Sequence, residues 1–449
     1  MSKQRIQLSD HFTYSRLLRF VLPCIGTMLF TSIYGIVDGL CVSNFVGKTA
    51  FAAVNLIMPL PMLLGTIGFM LGTGGSAIVG ITLGEGDQKK ADRYFTLFLL
   101  AALVSVSVLA VLGIVFLRPI AVLLGAKGEL LDYAVRYGRI LMVSLPTFAL
   151  QNMFQSFFVT AEKPHLGFWF TVGAGCANMV LDVLMVGIWG WGVEGAAIAT
   201  FISQLVGGVL PVFYFIDRSN SSRLHLCKTS FYSKVLRDAC INGSSELMTN
   251  LSMSLVNILY NYQLLRLAGE NGVAAYGVIM YAAFLFVAVF VGYAVGSAPI
   301  VSFHYGARNH AEVHNLYRKS LRLIAVVAVT LTLASMFIIP CVARVFVGYD
   351  AELLALTSRA FRLYALSFLI MGFNVYASSF FTALGDGVTS ALISFLRTLA
   401  FQVIAILLLP LLLGIDGIWL AVTAAELAAL AVSAAMLFTK DKVFHYRKA

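Results

Sequence analysis

Residues 83–95 read LGEGDQKKADRYF and residues 305–317 read YGARNHAEVHNLY. Each follows a long apolar run, carries a glycine at its second position and leads into a charged stretch; Gly84 against Gly306 sets an offset of 222 residues. Two further pairs keep that register. QSFFVTAEKP (155–164) resembles SSFFTALGDG (378–387), with Phe157 and Phe380 separated by 223, and GWGVEGAA (190–197) resembles LGIDGIWL (413–420), where Glu194 and Asp416 return 222. A constant offset across most of a chain means two copies of one structural unit.

The material between the matched stretches is apolar. Of 449 residues 60% are hydrophobic and 12% charged, and the mean hydropathy is +0.89, well outside the range of a water-soluble domain. A hydrocarbon core about 30 Å thick needs roughly 20 apolar residues per helix. Twelve runs meet this: 17–40, 51–82, 94–117, 131–160, 166–189 and 195–216, then 239–267, 273–304, 321–346, 355–384, 388–413 and 418–438. They are continuous rather than alternating, which excludes a membrane β-barrel. The expectation is an all-α integral membrane protein with twelve transmembrane helices in two six-helix repeats. An even number of helices per copy makes the repeats parallel, related by an axis along the membrane normal, with a cavity between two bundles that rock to expose it to each side in turn. The expected units are residues 1–216, a polar and basic linker at 217–238 long enough to let the halves move, and residues 239–449.

The net charge of +10 could suggest nucleic acid, but its placement argues for membrane topology. Basic residues gather at alternate joints: Lys3, Arg5, Arg16 and Arg19; Lys89, Lys90 and Arg93; Lys163; Arg218, Arg223, Lys228, Lys234 and Arg237; Arg308, Arg318, Lys319 and Arg322; and Lys440, Lys442, Arg447 and Lys448. Basic cytoplasmic joints place both termini in the cytoplasm of a cell membrane, while Arg118, Arg136 and Arg139 fall on the opposite side. No cleavable signal pattern opens the chain. The cysteines (Cys24, Cys41, Cys176, Cys227, Cys240, Cys341) show no metal or redox spacing and are read as small packing residues. LGTGGSAIVG (71–80) lacks the lysine and hydroxyl of a phosphate loop, so its small residues, like those of VGYAVGSAP (291–299), are expected to bring helices close.

Polar residues inside such runs carry the functional signal. Asp38 sits in IYGIVDGL (33–40), and a carboxylate at mid-bilayer costs at least about 2.5 to 3.5 kcal/mol, so it is expected to face a bundle interior or a wet cavity. Asn178 and Asp182 lie four apart in the fifth run, and Thr200 and Gln204 four apart in the sixth, each pair on one helix face. Two carboxylates, an amide and a hydroxyl suit a hard cation such as sodium. They suit a proton equally well, because two carboxylates cannot easily both stay charged in a low dielectric. The alternative is that Asp38 is a hydrogen-bonded structural group. No matching pair of acids is found 222 residues on, and Glu246 is read as the lone acid of the second half. It is either a helix-entry carboxylate or a charge attracting cationic compounds into a pocket. That pocket would be lined by Tyr34, Phe154, Gln155, Phe157, Phe158, Met248, Met253, Tyr260 and Met280, whose methionines adapt to varied shapes. Pro23, Gly26, Gly35 and Gly39 allow the first helix to bend.

At this point the sequence resembles the multidrug and toxic compound extrusion (MATE) family of the MOP superfamily, in its bacterial MepA-like branch. The residues that carry the likeness are IVDGLCVSNFVGKTAFAAVNLIMP (36–59), GTGGSAIVGITLGEGD (72–87), FFVTAEKP (157–164), GWGVEGAAIAT (190–200) and GSAPIVSFHYGA (296–307). The resemblance implies export of amphipathic, often cationic, compounds in exchange for H+ or Na+, with no cofactor. It implies a first-lobe cation site at Asp38, Asn178, Asp182 and Thr200, which would be metal ligands if the coupling ion is sodium, and a role for Glu246. The helix-10 acid of some relatives is missing from MGFNVYASSFFTALG (371–385). The runner-up is a flippase for a lipid-linked precursor, which would need a cationic cavity; the mid-helix basic residues are few, notably Arg397 and Arg266. No nucleophile elbow, metal-binding histidine pair or ATP loop supports an enzyme. A monomer in membrane lipid, with no nucleic-acid partner, is expected because the cavity lies between halves of one chain.

Overall fold

Hydrocarbon leaves a spanning backbone no partner but itself, so helices are the form these apolar runs can take. The computed structural model describes residues 6–46, 48–348 and 350–447. Lys3, Arg5 and Lys448, counted among the basic flanks, and the side chain of Cys41 lie outside the described residues.

The first copy comprises α1 (Tyr14–Phe45), α2 (Pro59–Gly84), α3 (Gln88–Leu123), α4 (Glu129–Thr160), α5 (Pro164–Asp182), continued by a π-helical segment Val183–Ile188, and α6 (Gly192–Gly208) with its extension Leu210–Ile216. In the second copy, helical turns run from Ser233 to Gly306 with one interior break. Gly269 has φ 62° and ψ −150°, a backbone state open to glycine, and divides the run into α7 (233–268) and α8 (270–306). Then come α9 (His310–Val347), α10 (Ala351–Ala365 and Phe368–Ala383, bent by 46°), α11 (Gly387–Phe395, π-helical Leu396–Ala400, Phe401–Leu413) and α12 (Ile415–Thr439). One expected run is corrected: 51–82 is two helices, Lys48–Ile57 and α2, parted at Met58, because Pro59 and Pro61 open the second.

The first pair of matched stretches, 83–95 and 305–317, are helix caps. Asp87 accepts a hydrogen bond from the Lys90 amide (3.0 Å) at the start of α3, and its counterpart Asn309 accepts from the Glu312 amide (3.1 Å) at the start of α9. Such a cap is worth about 1 kcal/mol, and it stops one helix and starts the next in both copies.

The two bundles meet along a seam built by glycine. A Cβ on Gly74 would overlap the Ala239 carbonyl, one on Gly243 the Met70 carbonyl, one on Gly84 the Phe303 carbonyl and one on Gly306 that of Ile81. On α1, Ile25 lies against Gly292 and Cys24 against Gly296. The glycine runs 71–80 and 291–299 therefore bring helices together across the two copies, in the halves of α1, α2 and α8 nearest the chain's termini.

The segment preceding α1 straps this end. Leu8 and Phe12 are buried; the Leu8 amide donates to Glu162 Oε1 (2.9 Å) in the first copy, and the Phe12 amide to Glu312 Oε1 (2.9 Å) in the second. His11 Nδ1 is 2.6 Å from Glu312 Oε2, and Lys319 Nζ donates to the Phe12 carbonyl (2.7 Å). Glu312→Ala removes the acceptor on one copy only. Amide hydrogen exchange at Phe12 is expected to rise about tenfold or more, matching loss of a bond to a charged group worth about 1.5 to 3 kcal/mol; unchanged exchange would mean the strap is held by burial alone.

The linker is not loose along its length. The His225 amide donates to Asp92 Oδ1 (3.1 Å), the Cys227 amide to Thr96 Oγ1 (3.1 Å), and Arg223 pairs with Glu162 (2.5 Å), so this part is stitched to the first copy.

Candidate cation site and cleft

In the first copy, α5 places Asn178 (2% exposed) and Asp182 (0%) on one buried face. Helix α5 packs against α1 and α6, which bear Asp38, and Thr200 with Gln204. Gly175 allows the approach of α1: a Cβ there would lie 2.5 Å from the Phe30 ring and 3.0 Å from that of Tyr34. The carboxyls of Asp38 and Asp182 come within hydrogen-bonding reach of each other.

The decisive feature is what these oxygens lack. Asp38 Oδ1, both carboxylate oxygens of Asp182, Asn178 Oδ1, Thr200 Oγ1 and Gln204 Oε1 are all buried without a hydrogen-bond partner. Each such group ordinarily costs about 1 to 3 kcal/mol, more for a charge, and native interiors rarely tolerate several together. Two facing carboxylates with unpartnered oxygens on the neighbouring helix faces fit a hard cation or a proton with water, and among the described residues no trio of His, Cys, Asp or Glu makes a transition-metal centre. Tyr137 of α4, which sequence reading passed over, is buried and within electrostatic reach of both aspartates. A tyrosine among the opening turns of a charged helix gave no signal of this. Asp182 also ends the regular part of α5, where the π-helical turn begins; such turns often mark functional sites.

The expected pocket residues are dispersed. Tyr34 is half-buried beside Asp38. Gln155 is half-buried at a small gap near Cys24, Thr27 and Val295, where the two copies meet. Glu246 and Met280 are half-buried and Met253 is 47% exposed. Phe154 corrects the expectation: it is 1% exposed, stacked on Phe215 (centroids 5.5 Å) and packed with Phe95 and Phe158, in the core of the first bundle. Phe157 and Phe158 are buried with it.

Glu246 is not the lone acid of the second copy. Glu426 of α12 is 1% exposed, accepts a hydrogen bond from Asn374 Nδ2 (2.7 Å) and lies 3.5 Å from Arg397. Where α10 carries no buried acid, its Asn374 binds an acid on α12 instead. The same argument that singled out Asp38 applies to Glu426 in IWLAVTAAELAALAVSAAM (418–436), a carboxylate alone in an apolar run.

A MatE family profile matches residues 23–184 and 247–408, one copy in each half. Multidrug export protein MepA of Staphylococcus saprophyticus is 21% identical over 436 residues, spanning 96% of this chain and 95% of that protein. MepA of Staphylococcus aureus MSSA476 is 21% identical over 433 residues, with the same coverage. Among solved structures, a MATE transporter in complex with MaL6 superposes with a TM-score of 0.92 at 22% identity, covering all of both chains. An outward-facing multidrug resistance MATE transporter of the MOP superfamily gives 0.91 at 22%, also over all of both. A MOP superfamily transporter from Pyrococcus furiosus, described as having a binding pocket of reversed polarity, gives 0.90 at 22% with full coverage. With a profile match in each of two parallel six-helix copies and the same architecture from end to end, the chain belongs to the MatE family and is a multi-pass membrane transporter.

Proposed function

We propose that this transporter exports amphipathic, cationic compounds across the cytoplasmic membrane as a monomer, driven by inward movement of H+ or Na+, with both termini in the cytoplasm. The observation that carries the reading is the cluster of unpartnered oxygens around Asp38 and Asp182. Two carboxylates facing each other, with three of their four oxygens buried and unpartnered, need positive charge between them, either a proton on one or a cation shared by both. Loading and release of that charge on opposite sides of the membrane would bias which side the bundles open to. The seam joins the ends of the bundles nearest the termini, so this arrangement corresponds to a cleft open outward. Glu246, Tyr34, Gln155, Met253 and Met280 would meet the transported compound; Phe154 would act through the first bundle's core.

A flippase for a lipid-linked precursor would need free cationic groups in the cleft. Arg397 instead lies beside Glu426 and within electrostatic reach of Glu246, which favours export of cations. Proteoliposomes loaded with ethidium, with a proton gradient and a sodium gradient imposed separately, test the reading. Export driven by one gradient supports it and names the coupling ion. No export of ethidium or of other organic cations under either gradient overturns it in favour of lipid transport.

A further inference from the structure

The charged cluster of the second bundle is held in an uneven way. On one side it is tightly seated: Glu426 accepts from Asn374 Nδ2 at 2.7 Å, and Asn374 Oδ1 accepts from Ser433 Oγ at 2.9 Å, with all three side chains buried. On the other side it is slack. Arg397 Nη1 lies 3.5 Å from Glu426 Oε1, longer than the separation of about 2.7 to 2.9 Å in a settled arginine–carboxylate pair. Glu246 of α7 is within electrostatic reach of the same guanidinium, yet among the described residues it forms no ion pair with it. Tyr364 of α10 is within electrostatic reach of both Arg397 and Glu426. Glu426 is thus loosely paired with a guanidinium whose charge also reaches Glu246.

The repeat shows that these charges are not a requirement of the fold. At the matching positions of the first copy stand Gln204 for Glu426, 222 earlier, and Gln151 for Asn374, 223 earlier as for Phe157 and Phe380, while the residues 222 and 223 before Arg397 are Gly175 and Ala174. The first bundle therefore closes at the same places with amides and a small residue. There Gln204 Oε1 is buried without a partner, while the second bundle pairs Asn374 with Glu426. Arg397 also sits within the π-helical turn Leu396–Ala400 of α11, a segment packed against the α7–α8 run and α12; α11 meets α7 where a Cβ on Gly387 would fall on the Asn242 backbone, and π-helical turns recur at functional sites.

We propose that Arg397 is a tethered cation that competes with the transported compound for Glu246: an organic cation reaching Glu246 displaces the guanidinium fully onto Glu426. This rests on the reading that Glu246 meets the exported cation. Glu426, Asn374 and Ser433 form the seat that receives the displaced arginine, so the second bundle changes its internal pairing when loaded and recovers it when emptied. Arg397 thereby limits affinity, which favours release, and it sets selectivity for compounds whose charge can replace its own.

Binding of ethidium to the purified full chain at fixed pH and salt, read by fluorescence anisotropy, tests this, with uncharged N-phenylnaphthylamine as control. The variants are Arg397→Gln, Arg397→Gln/Glu426→Gln and Glu246→Gln. The double variant removes the pair together, so it leaves no buried charge stranded if the single one fails to fold. Ethidium is expected to bind about tenfold tighter in both arginine variants, as removal of a nearby like charge allows, and about tenfold weaker in Glu246→Gln. N-phenylnaphthylamine should be unaffected throughout. If Glu246→Gln weakens ethidium while the double variant, unfolding as cooperatively as the unaltered protein, binds it no more tightly, the competition is overturned and the reading of Glu246 stands. Unchanged ethidium binding in Glu246→Gln overturns that reading and the competition with it.

Discussion

Asp182→Asn is expected to reduce gradient-driven export of ethidium by at least about 100-fold while the protein still reaches the membrane. Asp182 is fully buried, both its oxygens lack hydrogen-bond donors, and its carboxyl faces that of Asp38. An amide of the same shape leaves the packing of α5 in place but removes one of the two negative charges, so a proton or sodium ion has no charge pair to bridge. A loss of about 2.7 kcal/mol or more in coupling corresponds to that factor of 100. Asp38→Asn is expected to do the same, since either carboxylate alone leaves the pair incomplete. The measurement is the initial rate of export from vesicles of matched transporter content. Full export by either variant would make that aspartate a structural group. A variant that binds ethidium normally but no longer exports it would place the defect in coupling, as expected for a site outside the cleft.

Gly243→Val is expected to have the second large effect, on which arrangement the bundles adopt. A Cβ at Gly243 would fall on the Met70 carbonyl of α2, and Gly74 of α2 in turn lies against the Ala239 and Gly243 backbone of α7, so the contact on both sides of the seam is backbone. Backbone inside two packed helices cannot step aside as a flexible side chain can, so the seam must part. Overpacking typically costs about 1 to 3 kcal/mol, and about 3 kcal/mol moves a two-state equilibrium by more than 100-fold. Because the clash lies between copies, the core within each bundle is untouched. Spin labels on the loops after α2 and α8, at Glu85 and Arg308, should show a longer and broader distance distribution than in the unaltered protein. An unchanged distribution would mean that the seam has slack that its glycines do not suggest.

The charged joints and apolar runs were legible because lipid imposes one rule on every spanning segment, and because duplication lets each half check the other. Asn178 with Asp182, and Thr200 with Gln204, were legible because a four-residue spacing on a helix puts both side chains on one face whatever the tertiary fold. The pocket was less so. Phe154 and Met253 are both apolar residues on amphipathic or wholly apolar helices, and no pattern within a helix tells which of its faces meets its own bundle, the other bundle or the cleft. Structure sent Phe154 to an aromatic core and left Met253 nearly half exposed. Glu426 was legible in principle, as a single acid in an apolar run, but its partner Asn374 lies 52 residues away and on another helix, so no local spacing joined them.

The sequence by itself determined that the chain spans a membrane, that it does so as two parallel copies of six helices, and that buried acids on the first and fifth helices need company. These follow from local energetics: the cost of unpaired backbone and of charge in hydrocarbon applies to each segment separately. Only the tertiary structure decided that the glycine runs join the two bundles and that the segment before α1 straps both. It also decided that Asp38 faces Asp182 and that Arg397 pairs with Glu426. Those are relations between segments distant along the chain, fixed by which helix faces pack, and the period of a helix records that a face is small or polar without recording what lies opposite.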